Sequence, residues 1–113
     1  MFNEHLCPVF RALADPRRLW YVEGLVHGDV RLRELAEIFP LSQPTVMHHL
    51  KVLEECGLLL SRKEGRMRFY TLRPEGLKAA YDWMEHIVWK AYQAPPGSLL
   101  HVARPPKRSP TAP

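Results

Sequence analysis

Two adjacent histidines, His48 and His49, stand in the middle of the segment LSQPTVMHHLKVLEECGL. Imidazole groups can bind a metal, move protons in catalysis or form hydrogen bonds with a partner, so three kinds of chemistry are open here. If the segment is helical, neighbouring side chains point about 100° apart, and the two rings cannot chelate one ion together. His49 lies nearer the apolar stripe of the segment and is predicted to be structural, whereas His48 faces outward and is available for a contact.

Other candidates for metal, redox or catalytic chemistry are sparse. Asp82 and His86 are four residues apart, but two ligands rarely hold a metal, and His5 and Cys7 could only complete a site between subunits. Cys7 and Cys56 could form a redox-sensitive bridge, although the first expectation for each is a small buried residue. No nucleophile is accompanied by a base and an oxyanion hole. We therefore expect no metal, no cofactor and no enzymatic activity.

The composition of the chain fits one globular domain. Its 113 residues are 46% hydrophobic and 25% charged, and the net charge of +4 is compatible with an anionic partner. The start MFNEHLCPVF lacks the features of a signal peptide, and no apolar run approaches the roughly 18 residues of a membrane span. Its two cysteines are too few for a disulfide framework, so we expect a reduced, cytoplasmic protein with no membrane partner.

Apolar periodicity and helix punctuation predict four helices, a β-hairpin and a last helix. They cover, in chain order, residues 2–14, 16–27, 33–39, 43–55, 58–72 and 75–93. Asp15 and Ser42 are predicted N-caps, and Gly28 and Gly57 are predicted helix stops. The expected buried stripes are Leu19, Tyr21, Val22, Leu25 and Val26 on the second helix, Leu35, Ala36 and Phe39 on the third, and Val46, Leu50 and Leu53 on the fourth.

Two short helices joined by a tight turn and followed by a hairpin describe a winged helix-turn-helix. The predicted fold class is therefore mainly α with a small β-hairpin, a winged helix-turn-helix with dimerisation helices at both ends. The two terminal helices are more apolar than the core of one protomer requires, so we expect them to bury their faces in a homodimer. The predicted interface residues are Phe2, Leu6, Phe10, Tyr81, Met84 and Val88.

The exposed side of the fourth helix presents small polar, amide and imidazole groups that suit the major groove of double-stranded DNA. Gln43 can form paired hydrogen bonds with adenine, and Met47 can touch a thymine methyl group. The hairpin carries four basic residues against one acid, Glu64, which suits a phosphate backbone or the adjacent minor groove. The predicted DNA-binding residues are Ser42, Gln43, Thr45, Met47, His48 and Lys51 on the helix and Arg62, Lys63, Arg66 and Arg68 on the hairpin.

Three segments, ALADPRRLWYVEGL, LRELAEIFPLSQPTVMHHLKVLEECGLL and RKEGRMRFYTL, resemble the ArsR/SmtB family of bacterial winged-helix repressors over about residues 9–92. The resemblance implies a sequence-specific transcriptional regulator, of the repressor kind, that binds a two-fold symmetric operator as a homodimer. It also implies that residues 42–48 read the DNA and that residues 62–68 form the wing. Met47 departs from the usual serine of the family, and Arg31 departs from the usual Ser or Thr cap of the third helix.

Family members often sense metals, but the metal motifs are incomplete in this sequence. One metal site of the family needs a Cys-x-Cys pair on the third helix, and the segment RLRELAEIF has no cysteine. A second site of the family uses acids and histidines of the last helix, where this sequence offers only Asp82 and His86. Two alternatives stay open: a winged-helix adapter that docks a protein without binding DNA, and a redox- or metal-responsive repressor that uses Cys7 and Cys56 or His5 and His86. No residue identifies a small-molecule inducer.

The composition changes near Ala94, where we predict the end of the folded domain. Residues 1–93 form the predicted DNA-binding and dimerisation domain, and residues 94–113, with six of the eleven prolines, form a basic tail. The tail is interpreted either as a disordered end or as a basic arm that follows a phosphate backbone.

Overall fold

A computed structural model of the chain describes residues 4–38 and 40–93. Phe2, Phe39 and the tail 94–113 lie outside the described residues, so their predicted roles stay predictions. The described residues up to Ala80 belong to one compact unit, and those from Tyr81 to Gln93 belong to a second. No helix within the described ranges combines the length and the apolarity needed to cross a membrane.

The helices and strands follow the predicted order, with one addition. They are a 3₁₀ turn Glu4–Leu6, α1 Cys7–Leu13, α2 Pro16–Gly24, β1 Val30–Arg31, α3 Leu32–Ala36, α4 Gln43–Glu55, β2 Leu59–Glu64, β3 Met67–Leu72 and α5 Pro74–Tyr92. The mainly helical fold with a small antiparallel sheet is thus confirmed. The addition is β1, which makes the predicted hairpin a three-stranded sheet in the order β1-β3-β2.

The strand β1 was missed because two residues are too short to show an alternating pattern. Only its partner defines it: Val30 pairs with Tyr70 and Arg31 pairs with Phe69, both on β3. This pairing joins the start of α3 to the hairpin, so the sheet holds the hairpin at a fixed place beside the helices.

The second helix ends earlier than predicted. The structure confirms its N-cap, since the Asp15 side chain accepts a hydrogen bond from the Arg17 amide, but α2 stops at Gly24 rather than near Gly28. The predicted burial of Leu19 and Val26 is therefore wrong: they are 45% and 60% exposed. Leu19 lies roughly 160° around the helix from buried Tyr21, and Val26 falls beyond the helix end.

The helix α4 is fixed in the core through one side, as predicted. Val46, Leu50 and Leu53 have no exposed surface, and they pack in one apolar cluster with residues of the other helices and of β2. The Ser42 hydroxyl accepts a hydrogen bond from the Thr45 amide at 3.3 Å, which confirms the predicted cap. Gly57 ends the helix region with a φ of 88°, a conformation that favours glycine.

Gly76, in the first turn of α5, touches the turn that follows α4. A Cβ atom built on Gly76 would lie 2.5 Å from the carbonyl oxygen of Gly57 and 3.0 Å from its carbonyl carbon. These two nearest atoms are backbone, which cannot rotate away as the third neighbour, the Leu58 side chain, could. Close packing at this point therefore depends on the missing side chain.

We expect Gly76→Ala to lower the free energy of unfolding by about 1–3 kcal/mol, because the added methyl group forces two backbone segments apart. Urea denaturation measures the change. Gly24→Ala is the matched control: nothing lies within 4 Å of its built Cβ, and alanine favours the helix by up to about 1 kcal/mol. Equal stability of the Gly76→Ala variant and the unsubstituted protein would contradict the steric argument.

His49 is buried, as predicted, and an arginine of α2 binds it. The Nη1 atom of Arg18 lies 3.1 Å from Nδ1 of His49, and the same guanidinium donates through Nε to the carbonyl oxygen of Ala12. Because a guanidinium only donates, Nδ1 must accept, and the ring is neutral with its proton on Nε2. Burial lowers the pKa of His49 below its usual value, and nearby Arg17 and Arg18 lower it further against the opposing effect of Asp15.

This arrangement predicts a loss of stability in mild acid. The folded-state pKa of His49 lies below the usual 6.5, so the unfolded chain takes up the proton first as the pH falls. The contribution of neutral His49 is complete above about pH 6.5 and declines below it. Asp15, whose pKa the Arg17 hydrogen bonds lower to about 2, adds its own dependence only at much lower pH.

We expect the free energy of unfolding to fall as the pH drops below about 6.5, and His49→Gln to weaken that fall because no imidazole remains to be protonated. Urea titrations at several pH values measure it. His48→Gln, which removes the exposed neighbouring ring, should keep the pH dependence. The assignment of this pH dependence to His49 would be refuted if the His48 variant lost the dependence and the His49 variant retained it.

Candidate nucleic-acid interface

The polar residues predicted on the outer side of α4 do lie together on that side. Gln43, His48 and Lys51 are exposed, and Met47 is 40% exposed. Thr45 is half-buried, and its hydroxyl lies 2.9 Å from the Ser42 hydroxyl, so both groups also take part in the helix cap. The N-terminal half of α4 therefore offers one amide, one thioether and one imidazole to a partner.

A concave surface of about 580 Å³, here called the reading groove, lies between α4, the start of α3 and the hairpin. Gln43 and Met47 of α4 line one wall. Its remaining lining residues are five basic ones and two apolar ones, Arg31, Arg33, Lys63, Arg66, Arg68, Leu32 and Met67. No acidic residue lines the groove among the residues described, so its electrostatic potential favours an anion.

A second concave surface, of about 650 Å³, lies on the other flank of α4. Met47 and Arg68 line both surfaces, which makes these two side chains the ridge between them. The second surface carries both charges, since its other lining residues are His48, Lys51, Glu54, Glu55 and Tyr70. The unmixed positive charge of the reading groove distinguishes it as the better match for a polyanion.

The hairpin presents its basic side chains in two different ways. Lys63 and Arg66 flank the turn at Gly65, which has a φ of 61°, and neither makes an ion pair with another described residue. Arg68 is half-buried and donates to the Ser61 hydroxyl at 3.4 Å. Arg62, in contrast, is bound by two carboxylates: Glu64, the one acid of the hairpin, and Asp29, which precedes β1.

Two groove residues, Arg31 and Arg33, are not among the DNA-binding residues predicted from the sequence. Arg31 caps α3 without a side-chain hydrogen bond to the backbone, as its departure from Ser or Thr suggested, and its Nε instead lies 2.8 Å from Glu34. Arg33 makes no ion pair within residues 4–38 and 40–93. The signal was present in the basic run RLR, but only the pairing of β1 with β3 brings that run beside the hairpin.

The predicted interface residues fall into two groups. Leu6 is only 4% exposed and Phe10 is partly buried, and both pack with the core of their own protomer. The side chain of Leu6 therefore supports the protomer and leaves little surface for a partner. Tyr81, Met84 and Val88 of α5 are 38–44% exposed.

The cysteines and histidines proposed for sensing are spread over the molecule. Cys7 is exposed, so its predicted burial is wrong: it begins α1 directly after Leu6, and Leu6 takes the inward position. Cys56 is half-buried, and burial raises the pKa of its thiol, which disfavours the reactive thiolate. Within the part of the chain that the structure describes, no three His, Cys, Asp or Glu residues are grouped as a metal site would need.

Comparison with known proteins agrees with this geometry. Residues 15–61 match the family described as "Bacterial regulatory protein, arsR family". The transcriptional repressor SdpR of Bacillus subtilis is 30% identical over 82 residues, which are 73% of this chain and 91% of SdpR. The HTH-type transcriptional regulator Rv2034 of Mycobacterium tuberculosis is 46% identical over 70 residues, which are 62% of this chain and 65% of Rv2034.

The structural match extends over more of the chain. The crystal structure of the ArsR family transcriptional regulator RHA00566 superimposes with a TM-score of 0.77 at 29% sequence identity, and it covers 84% of this chain and 97% of that one. The chain therefore belongs to the arsR family of bacterial regulatory proteins, and it is a winged helix-turn-helix, DNA-binding transcriptional regulator rather than an enzyme.

Proposed function

We propose that two protomers bind a two-fold symmetric duplex, each placing α4 in a major groove and its hairpin on the flanking backbone. The reading groove carries this proposal, because it joins base-reading side chains of α4 to five basic side chains with no acid among its described lining residues. In a symmetric dimer the two α4 helices would read half-sites about one helical turn apart. Such a regulator acts where the bacterial DNA lies, in the cytoplasm.

The outer side of α4 supplies the sequence readout in this proposal. Gln43 is exposed at the first turn, where its amide can form two hydrogen bonds with an adenine edge. Met47, one turn later on the same side, can contact a thymine methyl group. His48 and Lys51 lie on the other flank of α4, where they line the second concave surface. The positive end of the helix dipole, at Ser42, adds to the attraction of nearby phosphates.

The basic side chains of the groove supply affinity without sequence preference. Lys63, Arg66 and Arg33 make no ion pair within the described residues, so their charges are available to phosphates. Arg68 reaches the same groove from β3. Arg31 forms an ion pair with Glu34, so its charge contributes less to the affinity for phosphates.

The apolar side of α5 supports self-association. Tyr81, Met84 and Val88 are spaced three and four residues apart, so they share one side of the helix, and each is between 38% and 44% exposed. Removing such a patch from water favours association by about 25 cal/mol per Å² of apolar surface. We propose this side of α5 as the homodimer contact. The relative SdpR is named a transcriptional repressor, and we propose repression as the output here too.

We expect Gln43→Ala and Arg66→Gln to affect DNA binding differently. A duplex selected from a random library by the unsubstituted protein serves as the target, and fluorescence anisotropy measures binding at several salt concentrations. Arg66→Gln should weaken binding to all duplexes and reduce the salt slope by about 0.9 per protomer, because one phosphate contact is lost. Gln43→Ala should change the preferred base at one position of each half-site, at a cost of about 1–3 kcal/mol.

Arg73→Gln is the matched control for the loss of one positive charge, since Arg73 is exposed but does not line the reading groove. Its salt slope should stay unchanged. If the purified protein bound no duplex, or bound with no salt dependence, the proposed function would be wrong. If both groove variants weakened binding uniformly at every sequence, the division between readout and affinity would be wrong.

We expect Met84→Glu combined with Val88→Glu to produce a monomer, because two carboxylates would have to be desolvated in the proposed contact. Sedimentation equilibrium measures the mass, and anisotropy should show a large loss of duplex affinity. His86→Glu adds a charge to an exposed position on another side of the same helix and should stay dimeric. A dimer that survives the double substitution would place the contact elsewhere.

A further inference from the structure

The carboxylate of Asp29 contacts side chains of two strands, β2 and β3, at the base of the wing. Asp29 immediately precedes β1, and its Oδ1 accepts a hydrogen bond from the Thr71 hydroxyl of β3 at 2.8 Å. Its Oδ2 accepts a hydrogen bond from Nη1 of Arg62, on β2. Gly28, the residue before Asp29, has a φ of 140°, a backbone conformation that favours glycine. This conformation directs the chain so that Asp29 lies beside β2 and β3.

The guanidinium of Arg62 is occupied on three sides. Besides Asp29, it donates through Nε to Glu64 at 3.0 Å, and its central carbon lies 4.7 Å from the centroid of the Phe69 ring. Two carboxylates and an aromatic face surround one positive charge, although the side chain is still 45% exposed. Lys63, the next residue, makes no such contact within the described chain.

We propose that Arg62 is a wing-positioning residue rather than a phosphate contact, with Asp29 as the internal anion that occupies it. This inference rests on the proposed function and deepens it, because it names which basic side chains of the wing meet DNA. Lys63 and Arg66 contact the backbone, and Arg62 holds the strands that carry them.

Each cation of the wing would exchange one set of partners for another when DNA binds. A lysine or arginine that faces water gains a phosphate, and the DNA releases a condensed counterion in return. Arg62 already has two anionic partners that compensate its charge, so a phosphate bound there would gain less attraction and would lie beside two carboxylates that repel it. The Thr71 and Arg62 hydrogen bonds also hold the pKa of Asp29 below its usual value, which keeps the carboxylate charged at neutral pH.

The same contacts reduce the cost of binding. Asp29 ties β2 and β3 to the residue before β1, and β1 continues directly into α3 beside the reading groove. A wing fixed in this way presents Lys63 and Arg66 without ordering them at the moment of binding. Loss of these Asp29 contacts should therefore lower the affinity for DNA while the number of phosphate contacts in the complex stays the same.

The test compares salt slopes for the unsubstituted protein and two double variants on the selected duplex. Asp29→Asn with Arg62→Gln removes the cation together with its anion, so the net charge is unchanged; we expect an unaltered slope and roughly 3- to 10-fold weaker binding. Asp29→Asn with Glu64→Gln removes only the anions and releases Arg62; we expect a slope steeper by up to about 0.9 per protomer. Circular dichroism confirms that each variant is folded.

The opposite pattern would overturn the inference. If Arg62 contacts phosphate in the unsubstituted protein, the first double variant loses about 0.9 of slope per protomer, as Arg66→Gln does, and the second variant changes nothing. Arg62→Lys keeps a cation opposite Asp29 but cannot hold both carboxylates and the Phe69 ring together, so it should retain more affinity than Arg62→Gln and less than the unsubstituted protein, whereas equal loss in the two variants would contradict positioning by charge. A flat salt slope in the unsubstituted protein would instead refute the proposed function itself.

Discussion

The burial of one side of α4 is the constraint on which the rest of the structure depends. Val46, Leu50 and Leu53 have no exposed surface, so the rotation of the helix about its axis is fixed by the core. The opposite side must then carry whatever α4 contributes to a partner. Arg18 adds a polar contact to this apolar anchor, because it joins the end of α1 and the body of α2 to the buried ring of His49.

Ion pairing within the protomer determines which positive charges remain available. Arg62 and Arg31 are neutralised by acids that fold against them, whereas Arg33, Lys63 and Arg66 have no such partner among the described residues. The modest net charge of +4 therefore understates the local potential of the reading groove. What matters for an anionic partner is the distribution of pairing and not the sum of charges.

Local sequence signals predicted the parts of the fold that local physics decides. The stripe of α4, its Ser42 cap and the turn at Gly65 all depend on residues within a few positions of one another, and the structure has each of them. The polar side of α4 followed from the same periodicity. Two apolar, β-prone runs around a glycine-containing turn likewise sufficed to place the hairpin.

Contacts between distant parts of the chain could not be predicted in this way. The strand β1 exists only through its pairing with β3, and the acid that occupies Arg62 lies 33 residues before it. Likewise, Arg33 lines the reading groove because the pairing of β1 with β3 places the start of α3 beside the hairpin. The exposure of Cys7 depends on its neighbour Leu6 taking the inward position, a choice that apolar composition alone does not decide.

The close approach of Gly76 to Gly57 has a consequence for motion. Where two side chains touch, a small displacement can be absorbed by a change of rotamer, but here main chain meets main chain. The amide of Arg73 also donates to the carbonyl of Leu58 at 2.8 Å, which gives the same junction a second rigid link. Any displacement of the first turn of α5 would therefore be transmitted directly to the end of α4 through these main-chain contacts.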